Sequence, residues 1–102
     1  MKIRYLDLAK EDLIDGYHFY ERQSEGLGVY FLDSLFSDVE SIQIHAGIHK
    51  IIDGKHRCFS KRFPFAIYYS LDDCAIRIHA ILDCRRHPSG LQKRLQKGEL
   101  GD

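Results

Sequence analysis

Arg85, Arg86 and His87 follow directly on an apolar, strand-like run from Ala75 to Leu82 and stand just before Pro88. Two guanidiniums and an imidazole at the end of a strand form a set that grips an anion or an acidic surface. The same set is suited to phosphodiester chemistry. Attack by a 2′-hydroxyl needs a base, an acid and cations to hold the charge that builds on the phosphorus oxygens. His87 titrates near neutral pH and so can serve as acid or base. Arg86 has the planar fork that holds a phosphate through two hydrogen bonds. The plainer alternative is a solvated basic turn that happens to precede a proline.

Arg57, Lys61 and Arg62 form a second basic set, close to Phe63-Pro64. They read either as an extension of the same binding edge or as ordinary solvated strand residues. Lys+Arg and Asp+Glu are both 15, so the formal charge is zero, which argues against nonspecific nucleic-acid binding by bulk charge. The charge is nevertheless uneven. From Lys50 to Arg62 there are five basic residues against the single acid Asp53, and from Arg85 to Arg94 four basic residues and no acid. Two local basic patches are expected.

Other reactive residue types form no array. Cys58, Cys74 and Cys84 are odd in number and widely spaced, and read as buried, reduced thiols. His18, His45, His49 and His56 fit no metal motif. His79 lies in a strand, facing the helices or a partner. Tyr17, Tyr20, Tyr68 and Tyr69 read as packing residues with the ring buried and the hydroxyl at the edge. No metal or cofactor is implied.

These residues must be positioned by a small scaffold, and 102 residues suit one domain, 1–102. No apolar run is long enough to span a membrane, and Met1 to Asp7 lacks the apolar stretch of a signal peptide, so a cytoplasmic protein is expected. Ile3 to Leu6 reads as a first strand, with Asp7 as the cap of the helix that follows. Ala9, Leu13, Tyr17 and Tyr20 make one apolar stripe, which ends near Ser24 to Gly28. Val29, Leu32, Leu35, Phe36, Val39, Ile42 and Ile44 make another, from about Gly28 to His45. Ala46 to Asp53 reads as a loop or irregular strand. Strands are expected at Arg57 to Ser60, Phe65 to Leu71 and Ala75 to Leu82, with Asp72-Asp73 as the turn. In the last of these, strict alternation places Ile76, Ile78 and Ala80 on one face and Arg77, His79 and Ile81 on the other. Leu91 to Leu100 has the spacing of a short helix weakened by Gly98 and Gly101, and the tail over 91–102 is expected to be mobile. The order is β-α-α-β-β-β, an α+β domain with a helical hairpin packed on a small antiparallel sheet.

With that order in view, the chain resembles the RelE/ParE superfamily of toxins from type II toxin–antitoxin modules. The resemblance spans nearly the whole length. It rests on Ala9 to Leu13 at a helix start, Phe31-Leu-Asp-Ser-Leu35, the run Arg57 to Tyr69 with its Phe-Pro-Phe-x-Ile-x-Tyr core, the Asp-Asp turn, and Ile76 to Pro88 with its Arg-Arg-x-Pro ending. The branch it looks most like is the ParE-like proteins of plasmid stabilisation systems. The resemblance implies growth inhibition by binding DNA gyrase, with Arg57, Lys61, Arg62, Arg85 and Arg86 as target-binding residues. It also implies neutralisation by an acidic cognate antitoxin, often within a larger toxin–antitoxin heteromer. The RelE-like alternative is a ribosome-dependent endoribonuclease acting on mRNA, in which Arg86 and His87 would be catalytic. A third reading is a degenerate, non-toxic antitoxin-binding protein. Against the nuclease, the arginine that RelE-like enzymes carry at the start of the penultimate strand corresponds here to Phe65. Their base-stacking aromatic near the C-terminus has no counterpart, because no Phe, Tyr or Trp follows Tyr69.

Overall fold

The computed structural model describes residues 1–86 and 90–100, the last four as backbone alone. The elements run β1 (Lys2–Tyr5), α1 (Asp7–Glu21), α2 (Leu27–His45), β2 (Ile51–Ile52), β3 (Lys55–Phe59), β4 (Phe65–Leu71), β5 (Ala75–Asp83) and α3 (Leu91–Leu100). One sheet carries the strands in the order β1-β5-β4-β3-β2. The helical hairpin α1–α2 lies on one face and α3 on the other, so the architecture is the expected α+β layering with a short extra strand and a third helix.

The sheet is mixed rather than purely antiparallel. β2, β3, β4 and β5 pair antiparallel in chain order, but β1 runs parallel to β5 with Lys2 opposite Ala75 and Tyr5 opposite Ile78. A parallel pair joins distant segments without a tight turn between them, so it leaves no local mark in the sequence. The first helix also begins one residue earlier than expected. Leu6 is its N-cap, with no side-chain hydrogen bond, and Asp7 sits inside the first turn, where its charge favours the helix N-terminus.

The two helices meet closely. A Cβ on Gly16 would lie 2.5 Å from the Phe31 ring, and one on Gly28 would lie 2.8 Å from the Tyr17 carbonyl oxygen. Only glycine permits this approach. Glu21, at the end of α1, accepts hydrogen bonds from the amides of Gly26 and Gly28 (both within 3.1 Å) and so caps the start of α2. The buried stripe of α2 is Phe31, Leu35, Val39 and Ile42. Val29, Phe36 and Ile44, assigned to that stripe from spacing, are exposed. Phe31 and Leu32 are adjacent and both apolar, and the 4-4-3 spacing onward from Phe31 is the one that faces the sheet. There it meets Phe65, Ile67, Tyr69, Ile76, Ile78 and Ile81 in one continuous core.

β5 departs from strict alternation. Tyr69 pairs with Ile78 and Tyr68 with Ala80, which leaves His79 as the extra residue of a β-bulge. Beyond the bulge the faces exchange. Ile81 joins the core beneath the helical hairpin, while Ala80 packs with Ala66, Tyr68 and Leu95 on the opposite face. This reverses the sides expected for Ala80 and Ile81. His79 Nε2 lies 2.7 Å from the Ser70 hydroxyl. The Ile81 amide donates to Asp12 Oδ2 of α1 at 2.9 Å.

Candidate anion-binding cleft

After β5 the chain turns at Cys84 and Arg85. The Cys84 amide donates to the Pro64 carbonyl at 2.7 Å and the Arg86 amide to the Asp83 carbonyl at 3.2 Å, so the turn is tied to the start of β4. The two arginines of the turn have different surroundings. Arg85 Nε and Nη2 donate to the two carboxylate oxygens of Asp83 at 2.9 and 2.8 Å, and Nη2 also reaches the Tyr20 hydroxyl at 3.3 Å. The hydrogen bonds from Arg85 hold the Asp83 carboxyl below its usual range, and the same pair pushes the Arg85 guanidinium further up. Arg85 is thus a strut between strand end and helix, with its fork already filled.

Arg86 has no side-chain hydrogen bond or ion pair to any described residue, is exposed, and lines two clefts at once. The first, of about 420 Å³, lies between α1 and the end of β5, with Asp12, Asp15, His18, Arg22 and Asp83 on its walls. Its charges are mixed. The second, of about 410 Å³, opens on the face of the sheet that carries α3, and is lined by Arg57, Phe59, Tyr68, Leu82, Cys84, Arg86, Leu91 and Arg94 among others. This cleft brings Arg57 and Arg86 together, although they are far apart in the sequence.

Arg57 points into this cleft from β3, opposite Tyr68 of β4, with its guanidinium carbon 4.7 Å from the centre of the Phe59 ring. Stacking on an aromatic face fixes the plane of the guanidinium, and its edge donates a hydrogen bond to the Tyr68 hydroxyl. Its Nε is buried and has no hydrogen-bond partner. Burial pushes the Tyr68 hydroxyl up, with Arg57 acting against the shift. Burial and Asp83 likewise push the Cys84 thiol up, away from the thiolate that a nucleophile needs. Arg94 closes the far side. Its guanidinium clamps Asp12 through Nη1–Oδ1 at 3.1 Å and Nη2–Oδ2 at 2.5 Å. Burial pushes the Asp12 carboxyl up even so, against the opposing pull of Arg94 and the Ile81 amide. The described part of the cleft can hold an anion between Arg57 and Arg86. His87, the acid–base candidate, lies outside the described residues.

Lys61 and Arg62 occupy the exposed β3–β4 loop, at the same end of the sheet as the turn, since Phe65 pairs with Asp83. Neither lines the cleft. Their loop is held from below by buried Asp38 of α2, which accepts a 2.6 Å hydrogen bond from the Ser60 hydroxyl. Phe65 belongs to the core under the helical hairpin, and its neighbour Ala66 faces α3, so neither residue brings a cation to the cleft.

Three features were missed or misjudged from sequence. Cys74 and Cys84 are exposed and Cys58 is half-buried, because two of the three thiols sit in turns rather than strand interiors. Arg94, in the tail expected to be mobile, is an ion-pair partner, and its neighbour Leu95 is fully buried. Asp12 joins α1, β5 and α3. Its position one residue before buried Leu13 was the available sign that it stands at the edge of the sheet-facing stripe. A further apolar groove of about 500 Å³ runs along the hairpin, lined by Tyr5, Leu13, Ile14, Tyr17, Leu32 and Phe36 with Lys10 and His18 beside them.

No family model matches the chain, and no curated protein matches it. Among solved structures it is similar to a chain of one titled "Chromosomal ParDE TA system from P. aeruginosa". The TM-score is 0.67 at 20% sequence identity, over 79% of this chain and 92% of that one. The fold is therefore that of the RelE/ParE-type toxin–antitoxin proteins.

Proposed function

We propose that this protein is the toxin of a type II toxin–antitoxin module, ParE-like in action, which inhibits DNA gyrase by binding it and is neutralised by an acidic cognate antitoxin. The observation that carries this reading is the cleft between Arg57 and Arg86, set in a fold shared with a chain of a ParDE system. Arg86 meets the target with its fork unoccupied, and Arg57 supports it from β3. Lys61 and Arg62 extend the charged contact along the same end of the sheet. Arg85 holds the turn in place. The antitoxin lies in the apolar groove between α1 and α2, where an amphipathic helix has a complementary surface. The protein works in the cytoplasm without a cofactor.

The RelE-like reading, mRNA cleavage on the ribosome, has one observation in its favour: the paired guanidiniums suit a phosphodiester as well as an acidic protein surface. Phe65 and Ala66, which add no cation, weigh against it. The discriminating experiment adds the purified protein to gyrase supercoiling assays and to programmed ribosomes. Inhibition of supercoiling with intact mRNA supports the ParE-like reading. Cleavage of mRNA in the ribosomal A site with unaffected supercoiling replaces it by the nuclease, and inactivity in both assays leaves the degenerate antitoxin-binding protein.

A further inference from the structure

Away from the cleft, the connection between α2 and β2 is closed by a cluster of histidines around a buried tyrosine. Tyr69 of β4 is 0% exposed, yet its hydroxyl emerges at this connection. There it accepts a hydrogen bond from the Gly47 amide at 3.1 Å and lies 2.5 Å from His49 Nδ1. The His56 ring of β3 stacks on the Tyr69 ring at 5.0 Å, and its Nδ1 lies 2.8 Å from the His49 carbonyl oxygen. The next amide along β3, that of Arg57, donates to the Lys50 carbonyl at 2.8 Å. Residues 47–50 are thus fastened to the sheet through one hydroxyl, two imidazoles and one backbone bond.

The donor–acceptor pattern constrains the protonation states. A carbonyl only accepts, so His56 carries its proton on Nδ1, and it keeps that bond whether neutral or charged. Tyr69 accepts from Gly47, and its single proton finds an acceptor in His49 when Nδ1 is unprotonated. Protonated His49 has a donor on both ring nitrogens. The tyrosine proton would then lose His49 as its acceptor, and the new charge would face other imidazoles.

We propose that His49, His56 and Tyr69 form an acid-released latch, which fastens the 47–50 segment and the β2 edge to the sheet at neutral pH and lets them go when His49 takes up a proton. The groups acting on His49 are all imidazoles: His45 from the end of α2 and His56 from β3. Cys58 of β3 acts on Tyr69 from beside it. No carboxylate is among these groups to welcome the imidazolium. Burial first, then His56 and His45, hold His49 below the ordinary histidine value. A histidine whose folded value is depressed makes its contribution in full above the unfolded value near 6.5 and loses it as pH falls through the folded value. Release loosens the strand neighbouring Arg57, so the edge that carries the cleft becomes softer in acid. The latch does not depend on which target the cleft binds.

The test is hydrogen exchange on the full chain at pH 7.5 and 5.5, expressed as protection relative to the unfolded rate at each pH. In the wild type, protection across 47–52 is lower at pH 5.5 than at pH 7.5, while the β4–β5 amides keep theirs. His49→Gln supplies an acceptor that does not titrate, and holds the segment closed at both pH values. Tyr69→Phe keeps the ring and its stack but removes the hydroxyl, leaving the segment open at both. Protection that is unchanged between the two pH values in the wild type overturns the proposal, as does a His49→Gln protein that opens in acid like the wild type.

Discussion

The two faces of the sheet are built from alternate residues of the same strands and have opposite characters. Under the helical hairpin, Phe31, Phe63, Phe65 and Tyr20 interlock with ring centres 4.8 to 6.2 Å apart. Leu35, Val39, Ile67, Ile76 and Ile78 fill the rest of that layer with almost no exposure. Under α3 the packed patch is smaller, Ala66, Tyr68, Ala80 and Leu95, and it gives way to a cleft bordered by arginines. A fully buried aliphatic or aromatic side chain contributes roughly 1.5–3 kcal/mol, so the first face carries most of the fold. The second face gives up some of that burial for an opening lined with charge. One strand pair can separate stability from recognition because neighbouring residues point to opposite sides.

The contrast is broken most severely from the hairpin side. Phe31→Ala should cost about 3–5 kcal/mol in chemical unfolding, as the ring is fully buried and its three aromatic neighbours cannot collapse into the space. Arg94→Met tests the other face. Breaking a fully buried pair costs about 3–5 kcal/mol, but these side chains retain 21% and 14% exposure, so about 2 kcal/mol is expected, with loss of hydrogen-exchange protection in α3. A penalty equal to that of Phe31→Ala would show that the α3 face bears as much of the fold as the hairpin face. Ser60→Ala removes a hydrogen bond to buried Asp38 and should cost about 1–2 kcal/mol, loosening the loop of Lys61 and Arg62. Arg86→Ala is the smallest in stability, within about 0.5 kcal/mol, since its side chain touches solvent and open cleft. A stability loss of several times that size would mean Arg86 is structural, like Arg85.

The hairpin face was largely legible in the sequence because its signals are periodic and local. Two amphipathic helices and the strands at Phe65 to Leu71 and Ala75 to Leu82 follow from spacing alone, with ends displaced by a residue or so. The α3 face was not. Its pairing of Arg57 with Arg86 crosses three strands, its bulge at His79 changes side-chain direction without altering composition, and its Asp12–Arg94 clamp joins residues at opposite ends of the chain. The basic residues were identified by type and location, but the sequence could not separate Arg85 from its neighbour. That distinction depends on Asp83, two residues upstream, folding back to fill one fork and leave the other open.

The most direct test of this division of labour is growth on induced expression of the wild type, Arg85→Ala, and Arg57→Ala/Arg86→Ala, each with its unfolding midpoint measured. Arrest by the wild type and by Arg85→Ala, and its loss in a folded Arg57→Ala/Arg86→Ala protein, is the predicted result. Arrest by the folded double variant as strong as that by the wild type would contradict the assignment of function to the cleft.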